Sequence, residues 1–519
     1  MISTEDLKNS EKKEEPMIHL SAFAKTMIFL VIVGCHSFFD CSAQDKIPSA
    51  HAVKIKIDTY VQQVMKKFEL PGIAIAVARD GETIYMNAFG MRNVETKEAL
   101  QTRHIFHMAS VAKPFVAMAI VQLVEQKKMN LDEPLVKYLP YFKLADERYE
   151  KITIRQMLNH TSGMPDVIDY EWEKPQTDDG AAERYVRSLK KEKMIAAPGE
   201  RYQYSNMAYD VLGDLIAKVS GKPFEVYMKE NILNPLGMTE SSFLLENIKK
   251  DLRTSPHIWK SKPVVSEIYP YNRFHAPSST LNSNVVEMLH WAEANLQQGK
   301  PNGARLVSEA NYALLVQPSV RLSEKTSIGL GWVLSEYRGL STVEHSGDDL
   351  GYCCDFKLIP QKKIGIIVAS NYELTPVSSI LNSLIDILLG LDPEVPKKSV
   401  ASYFRRIMEK DGIAAAKAAY HEWYKKAPGD YNFGPQALNS LGYRFIRKKE
   451  MAKALGVFLF NAELFPENSN VHDSLAEAYM VTGDSERAIE HYKKSLELNP
   501  ANTQAIEMLK KLKEMKNDH

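Results

Sequence analysis

Ser110 and Lys113 are the first pair of residues whose types and spacing could carry out chemistry. They are three positions apart at the start of an apolar segment, so a helix there places both side chains on one face. A neighbouring lysine with a depressed pKa can take the proton of a serine hydroxyl, which makes the oxygen a nucleophile. The helix start also offers the backbone N–H of Ser110 to an oxyanion. The alternative interpretation is an ordinary helix cap beside a solvated lysine.

The same Ser-x-x-Lys pattern occurs at Ser10 and Ser188, so the pattern alone does not identify a nucleophile. Ser10 lies in a hydrophilic leading segment, and Ser188 precedes a Lys/Glu-rich stretch that is typical of a solvated face. An apolar helix follows Ser110 instead, with Pro114 in the first turn, where proline is tolerated. This context favours Ser110.

Two further motifs are candidates for the same site. Tyr204 and Asn206 follow a loop-like stretch and precede a helical one. Residues two apart on an extended segment project to the same side, so both could face Ser110. His345 and Gly347 form the only His-x-Gly of the chain, just before a predicted strand.

Taken in order, these motifs resemble the S-x-x-K, Y-x-N and K-T-G or H-x-G elements of serine β-lactamases and penicillin-binding proteins. The flanking segments 152–165 and 234–240 resemble the class C-type branch of that family. The resemblance covers roughly residues 50–390. It implies a mixed α+β, β-lactamase-like domain, in which an antiparallel sheet is flanked by helices and joined by an all-helical subdomain.

The resemblance also implies a role for each motif residue. Ser110 would attack a carbonyl and form an acyl-enzyme that water then hydrolyses. Lys113 and Tyr204 would share the proton transfers, and Asn206 would orient Lys113 and the substrate.

The third motif would complete the site. His345 would line the opposite wall, and the backbone N–H of Asp348, one residue past Gly347, would join that of Ser110 as the oxyanion hole. This chemistry needs no metal and no organic cofactor. The chain also has no Cys/His cluster with metal-ligand spacing.

The third motif departs from the β-lactamases, in which a lysine there helps to hold the carboxylate of the antibiotic. His345 is largely neutral at pH 7 if its pKa is near about 6.5, and Asp348 and Asp349 follow it. Two carboxylates would repel a substrate carboxylate and favour a neutral or cationic group. We therefore expect weak β-lactam turnover and an ester, amide or small D-amino-acid peptide as substrate. The alternative is that both side chains point away and only their backbones matter.

Two other functions remain open. One is a D-Ala-D-Ala carboxypeptidase or β-lactamase, although the acidic pair counts against a substrate that ends in a carboxylate. The other is a non-catalytic ligand sensor that signals through a partner-binding module. The complete set of Ser110, Lys113 and Tyr204 counts against a pure sensor, because binding does not need these residues.

Length and composition limit the remaining possibilities. A chain of 519 residues is too long for one ordinary domain. Its 45% apolar and 25% charged residues are typical of a globular protein. Lys plus Arg and Asp plus Glu both total 65, so no net charge favours nucleic-acid binding.

Residues 1–43 are interpreted as a signal region whose true start is Met17. The apolar stretch 27–39 is shorter than the about 20 residues of a membrane span, and the small residues that end at Ala43 resemble a cleavage site. This predicts a protein exported to the periplasm or secreted. The alternative is a membrane-anchored lipoprotein, because Cys35 ends a lipobox-like sequence and would carry a lipid anchor.

Three segments follow the signal region. Residues 44–390 form the hydrolase domain, 391–399 a linker with two prolines, and 400–519 a helical domain. Five strands are predicted in the hydrolase domain: Gly72–Ala78, Thr83–Ala88 across an Asp-Gly turn, Ile328–Leu334, Tyr352–Ile359 and Ile364–Ser370.

The helical domain repeats with a period of 34 residues. Six pairs match at this offset: Ser440 and Ser474, Leu441 and Leu475, Ala454 and Ala488, Phe458 and Tyr492, Leu464 and Leu498, Pro466 and Pro500. The period resembles tetratricopeptide repeats. Because about three units are needed for a continuous core, helices within 400–426 are expected to complete the stack, and a helix from Thr503 to about Met515 to cap it. Residues 437–515 would bind a protein or peptide partner, or would only stabilise and space the enzyme.

Overall fold

The computed structural model describes residues 50–300 and 305–517. The predicted signal region and the lipobox-like cysteine lie outside these residues. None of the helices within them is long and apolar enough to span a bilayer.

Within the described residues, helices and strands alternate between 50 and 390, and helices alone make up most of the rest. The helices are α1 Ala50–Phe68, α2 Ala112–Glu125, α3 Ile154–Leu158, α4 Ala181–Ser188, α5 Asn206–Ser220, α6 Phe224–Met228, α7 Ala276–Ser279, α8 Val285–Leu296, α9 Glu309–Val316, α10 Val377–Leu388, α11 Val400–Lys426, α12 Pro435–Arg447, α13 Met451–Leu464, α14 Ser469–Val481, α15 Ser485–Leu498 and α16 Thr503–Asn517.

The strands are β1 Gly72–Arg79, β2 Glu82–Asn93, β3 Glu98–Ala99, β4 Phe106–His107, β5 His257–Trp259, β6 Pro263–Val265, β7 Asn282–Ser283, β8 Val320–Arg321, β9 Ser327–Ile328, β10 Val333–Tyr337, β11 Leu340–Asp349, β12 Tyr352–Ile359, β13 Ile364–Ser370, β14 Lys398–Ser399 and β15 Tyr431–Asn432.

A nine-stranded antiparallel sheet, in the order β3-β2-β1-β13-β12-β11-β10-β9-β8, carries the hydrolase domain. Strand β1 is apolar on both faces because both are covered. Its isoleucines and valine pack in one core with α1 and α10, and its alanines in a second core with α2 and α8. The expected α+β fold is confirmed.

The strand predictions near β1, β12 and β13 are confirmed, and the predicted hairpin closes with Arg79 opposite Glu82. The single strand predicted over Ile328–Leu334 is wrong. Strand β9 ends at Ile328 and pairs with β10, which begins at Val333, because the chain reverses between them at Gly331 with φ +76°.

Strand β11 has no counterpart among the sequence predictions, although it carries the His-x-Gly motif. Its burial alternates poorly and its sequence is mostly polar, so it lacks the period-two apolar pattern that indicates a strand. Strand β12 pairs with β11 over Val343–Asp349, whereas β10 pairs with it only as far as Glu344. Residues 345–349 are therefore paired with a strand along one edge only, within the described part of the chain.

The C-terminal helices confirm the 34-residue period, because α12, α14 and α16 begin at Pro435, Ser469 and Thr503. They share one apolar core with α11, as expected for the segment that completes the stack. Helix α11 is broken at Gly412, whose φ is +85°. The segment placed as a linker ends in β14, which pairs in parallel with β15.

Candidate active site

A short 3-10 turn, Ala109–Val111, leads into α2 and presents Ser110. Ala109 has φ +46°, a left-handed conformation that non-glycine residues seldom adopt and that clusters at functional sites. The residue before it, Met108, is fixed on both sides: its N–H donates to Leu281 O at 2.8 Å, and its carbonyl accepts from Cys354 Sγ at 2.8 Å. The nucleophile candidate thus lies on a turn held by its neighbours.

Lys113, the second residue of α2, has no solvent exposure. Its Nζ lies 2.8 Å from Ser110 Oγ and 2.7 Å from the carbonyl oxygen of Ser278. Burial lowers the pKa of Lys113 to about 8, although the carboxylates of Asp210 and Asp166 act in the opposite direction. The neutral amine that a general base requires is therefore accessible close to neutral pH.

The pH dependence of turnover should report this group. Because only neutral Lys113 can accept the proton of Ser110, kcat/KM is expected to rise with pH and to level off above about 8, the pKa to which burial lowers Lys113. The measurement is hydrolysis of a neutral aryl ester between pH 5 and 10, corrected for spontaneous hydrolysis. A limb near about 6.5 would indicate a histidine base, and a limb above about 10 an unperturbed lysine; either contradicts this assignment.

Tyr204 contacts the nucleophile from the other side, with its hydroxyl 3.1 Å from Ser110 Oγ. Burial raises the pKa of Tyr204 well above its usual range, so the phenol stays protonated and donates. The ring of His160 stacks on Tyr204 at 4.3 Å between centroids. His160 also accepts two backbone hydrogen bonds from the residues on either side of Tyr204. The N–H of Gln203 donates to the carbonyl oxygen of His160 at 2.7 Å, and the N–H of Ser205 donates to its Nδ1 at 3.2 Å. His160 is therefore a positioning residue for Tyr204.

Asn206 differs from its prediction. It opens α5, with Ser205 as the N-cap, and does not lie on an extended segment. Its backbone N and its Nδ2 both donate to Asp166 Oδ1, at 2.8 and 3.0 Å, and it makes no hydrogen bond to Lys113 or Ser110 in the described residues. Its Oδ1 is buried and has no hydrogen-bond partner there. One acceptor on Asn206 is therefore unused within the described residues.

His345 lies on β11, buried at 6% exposure. Burial and the charge of Lys113 lower the pKa of His345 to about 3, so the imidazole is neutral at pH 7, as expected. Its Nδ1 lies 2.8 Å from the carbonyl oxygen of Ser346, which can only accept. The proton is therefore on Nδ1, and Nε2 is an acceptor.

Gly347 brings β11 against the nucleophile turn. A β-carbon at this position would lie 2.4 Å from Met108 O and 3.0 Å from the β-carbon of Ala109. No larger residue fits without displacing one of the two segments. The next residue, Asp348, is therefore adjacent to the strand position that contacts the turn presenting Ser110.

The two acidic residues after the motif are separated. The Asp349 carboxylate accepts from His107 Nε2 at 2.8 Å and from the Ser279 hydroxyl, and its charge acts on Lys113 and Tyr204. Asp348 projects to the other face of β11, as successive strand residues do.

Asp348 is exposed to solvent. Dense protein around it, together with the charge of Asp349, raises the pKa of Asp348 to about 6. The Asp349 side chain therefore faces the site, whereas the Asp348 side chain points away from it.

Several residues of the site were not identified from the sequence. His107, His160, Asp166, Ser278 and Ser279 are not among the site residues predicted from the sequence. Their partners are 40 to 242 positions away in the chain, and no local spacing encodes such contacts. No group of three His, Cys, Asp or Glu side chains in the described residues could hold a metal ion.

Comparisons with known proteins identify the family of the chain. The family model described as Beta-lactamase matches residues 57–388, and the model described as Tetratricopeptide repeat matches residues 469–502. Protein flp of Staphylococcus aureus (strain COL) is 27% identical over 331 residues, or 63% of this chain and 65% of that protein. The match thus spans less than two thirds of that relative. Penicillin-binding protein 4* of Bacillus subtilis is 26% identical over 363 residues, covering 66% of this chain and 77% of that protein.

Solved structures show the same fold. A penicillin-binding protein homologue from Pyrococcus abyssi, described as octameric, superposes with a TM-score of 0.59 at 29% identity, covering 69% of this chain and 81% of its own. EstCE1, described as a hydrolase with promiscuous acyltransferase activity, superposes with a TM-score of 0.57 over 66% of this chain and 99% of its own. Its identity of 22% supports a common fold alone.

Proposed function

Because the chain belongs to the beta-lactamase family of serine hydrolases, we propose that it hydrolyses an ester, an amide or a small peptide through an acyl-enzyme on Ser110. The observation that carries the proposal is the position of Ser110 Oγ between two proton-transfer groups. Lys113 Nζ lies 2.8 Å away on one side and the Tyr204 hydroxyl 3.1 Å away on the other. Both groups are buried, and burial shifts their pKa values in the directions that this chemistry needs: down for the base Lys113 and up for the proton donor Tyr204.

Acylation would move one proton from Ser110 to the leaving group by way of Lys113 and Tyr204. Ser110 Oγ attacks the substrate carbonyl and gives its proton to neutral Lys113. The tetrahedral oxyanion receives hydrogen bonds from the backbone N–H groups of Ser110 and Asp348. When the bond to the leaving group breaks, Tyr204 donates a proton to that group, and Lys113 returns its proton to the phenolate. Water attacks the resulting ester by the same route and releases the acid.

Charge near the scissile bond favours a neutral or cationic substrate group there. His345 is neutral, so the third motif supplies no cation to hold a carboxylate. The charges of Asp210, Asp166 and Asp349 act on Lys113, and they would oppose a further negative charge beside it. The proposal therefore includes weak turnover of β-lactams, whose carboxylate lies close to the reactive carbonyl.

The repeats and the N-terminal segment complete the proposal. Tetratricopeptide repeats favour binding of a protein or peptide, and we assign that role to residues 437–515. The signal region predicted at 1–43 favours export to the periplasm or secretion.

Labelling of the intact protein with a fluorophosphonate probe tests the acyl-enzyme. Mass spectrometry is expected to find one adduct, on Ser110, and none in Ser110→Ala. The control is Ser188→Ala, which removes the exposed serine of the second Ser-x-x-Lys sequence and should label normally. Absence of an adduct in both the wild type and Ser188→Ala would contradict the proposed hydrolase activity and support the ligand sensor. In the same preparations a neutral aryl ester should turn over faster than a cephalosporin; the reverse order contradicts the substrate assignment.

A further inference from the structure

A short segment around α7 carries the carbonyl group that receives the Lys113 amine. Residues Arg273–His275 form a 3-10 turn that runs directly into α7. In α7, Ser278 O accepts from Lys113 Nζ at 2.7 Å, and Ser110 Oγ lies 2.8 Å from the same nitrogen. A neutral amine has two N–H groups and one lone pair. The hydrogen bond to Ser278 O therefore directs one N–H away from Ser110 and leaves the lone pair available for the Ser110 proton.

A buried hydrogen bond joins this segment to α5. His275 Nδ1 lies 2.7 Å from Asp210 Oδ2, and the two side chains are 3% and 0% exposed. Asp210 lies one helical turn after Asn206. Three residues further on, a β-carbon at Gly213 would lie 2.1 Å from Pro277 Cγ. Asp210 and Gly213 thus lie on one face of α5, and α7 packs closely against that face.

Three aromatic rings surround the imidazole of His275. The rings of Tyr170, Trp172 and Tyr185 meet it edge-on, at 4.8, 6.0 and 5.1 Å between centroids. Tyr170 and Trp172 also stack on each other at 4.7 Å. A ring that is packed on several sides has little freedom to rotate. The His275 ring is therefore held with Nδ1 directed at Asp210.

The Asp210 carboxylate has few other ways to be satisfied. Its second oxygen, Oδ1, is buried and has no hydrogen-bond partner among the described residues. A buried carboxylate that loses a donor is costly, so removal of the His275 donor favours any movement that brings water or another donor to Asp210. Helix α5 has 15 residues and α7 only four. The shorter segment is the one expected to move, and Ser278 O moves with it.

We propose that His275 is a positioning residue for Lys113. Its hydrogen bond to Asp210 fixes α7, and α7 holds Ser278 O where that carbonyl orients the Lys113 amine toward Ser110. His275 makes no hydrogen bond to Ser110 or Lys113 in the part of the chain that the structure describes, so it acts through the residues between them. The inference rests on the proposed hydrolase function and adds to it a residue that none of the three sequence motifs contains.

Two substitutions of His275 test the proposal. Leucine fills similar space without a donor, whereas the Nδ2 of asparagine takes the place of Nδ1 and can still donate to Asp210. In single-turnover hydrolysis of a neutral aryl ester, His275→Leu is expected to lower the maximal acylation rate about 10²-fold, the effect of a small displacement of a proton-transfer group. The ester concentration at half-maximal rate should stay within about twofold of the wild type. His275→Asn should restore most of the rate.

Asp210→Asn separates the hydrogen bond from the charge. The Oδ1 of asparagine can still accept from His275 Nδ1, but the carboxylate charge is gone. The maximal acylation rate at high pH is therefore expected to stay within about threefold of the wild type. A loss as large as that in His275→Leu would assign the effect to the charge of Asp210 and would overturn the inference.

His51→Leu is the matched control, because it removes an exposed histidine at the start of α1; it should acylate as the wild type does. Urea unfolding shows which variants are folded. If His275→Leu is not, His275→Ala replaces it, because its smaller side chain admits water to Asp210. Normal acylation in the donor-free variant overturns the inference, and so does a folded His275→Asn that is as slow as that variant.

Ser110→Ala distinguishes this inference from the proposed function. Ester turnover that persists in Ser110→Ala contradicts the hydrolase mechanism itself. An inactive Ser110→Ala together with normal acylation in His275→Leu contradicts only the role of His275.

Discussion

Replacement of Lys113 by methionine is expected to lower kcat/KM by about 10³-fold to 10⁴-fold, because Ser110 then has no base to accept its proton. Methionine has nearly the same length and is apolar, so it fills the same buried space. The measurement is steady-state hydrolysis of a neutral aryl ester at pH 8. Lys190→Met, at an exposed lysine, serves as the control and should keep full activity.

The same substitution should not destabilise the fold. A pKa lowered from 10.5 to about 8 means that holding Lys113 charged at pH 7 costs folding about 3 kcal/mol. Because folding lowers the pKa of Lys113, the free energy of unfolding decreases as the pH falls from 10.5, the pKa in the unfolded chain, to about 8. At lower pH the folded protein carries the full cost of the buried charge. Loss of the hydrogen bond to Ser278 O costs about 1–3 kcal/mol. Urea unfolding should therefore give an unchanged or higher free energy, whereas a marked loss would attribute the inactivity to unfolding.

Gly347→Ala is expected to lower kcat by about 10²-fold to 10³-fold, the effect of losing one oxyanion donor. The new methyl group would lie 2.4 Å from Met108 O, so either β11 or the turn before Ser110 must move. Stopped-flow measurement of the acylation rate isolates this step.

Gly429→Ala is the matched control, because its β-carbon would meet nothing within 4 Å. It should behave as the wild type. Near-normal acylation in Gly347→Ala would show that the backbone at Asp348 is not an oxyanion donor.

The candidate catalytic groups could be identified from the sequence because their spacing is local. Ser110 and Lys113 are one helical turn apart, and the apolar helix that follows them distinguished this Ser-x-x-Lys sequence from the other two. The 34-residue period likewise predicted where the C-terminal helices begin, because every repeat buries the same positions.

What the sequence could not supply were contacts between distant segments. The hydrogen bond of His107 to Asp349 spans 242 residues, and the pairing of Asn206 with Asp166 replaced the expected contact with Lys113. Neither position stands out by composition. Strand β11 was missed for a related reason, since its residues are mostly polar and do not alternate with apolar residues of a core.

The single-sided pairing of residues 345–349 in β11 bears on how broadly the enzyme can select substrates. Backbone N–H and C=O groups along an edge without a neighbouring strand can receive an extended chain. Such main-chain recognition is indifferent to side-chain identity, so an enzyme built this way would accept many sequences of similar length. Discrimination between substrates would then depend on the terminal groups of the bound peptide and not on a sequence motif.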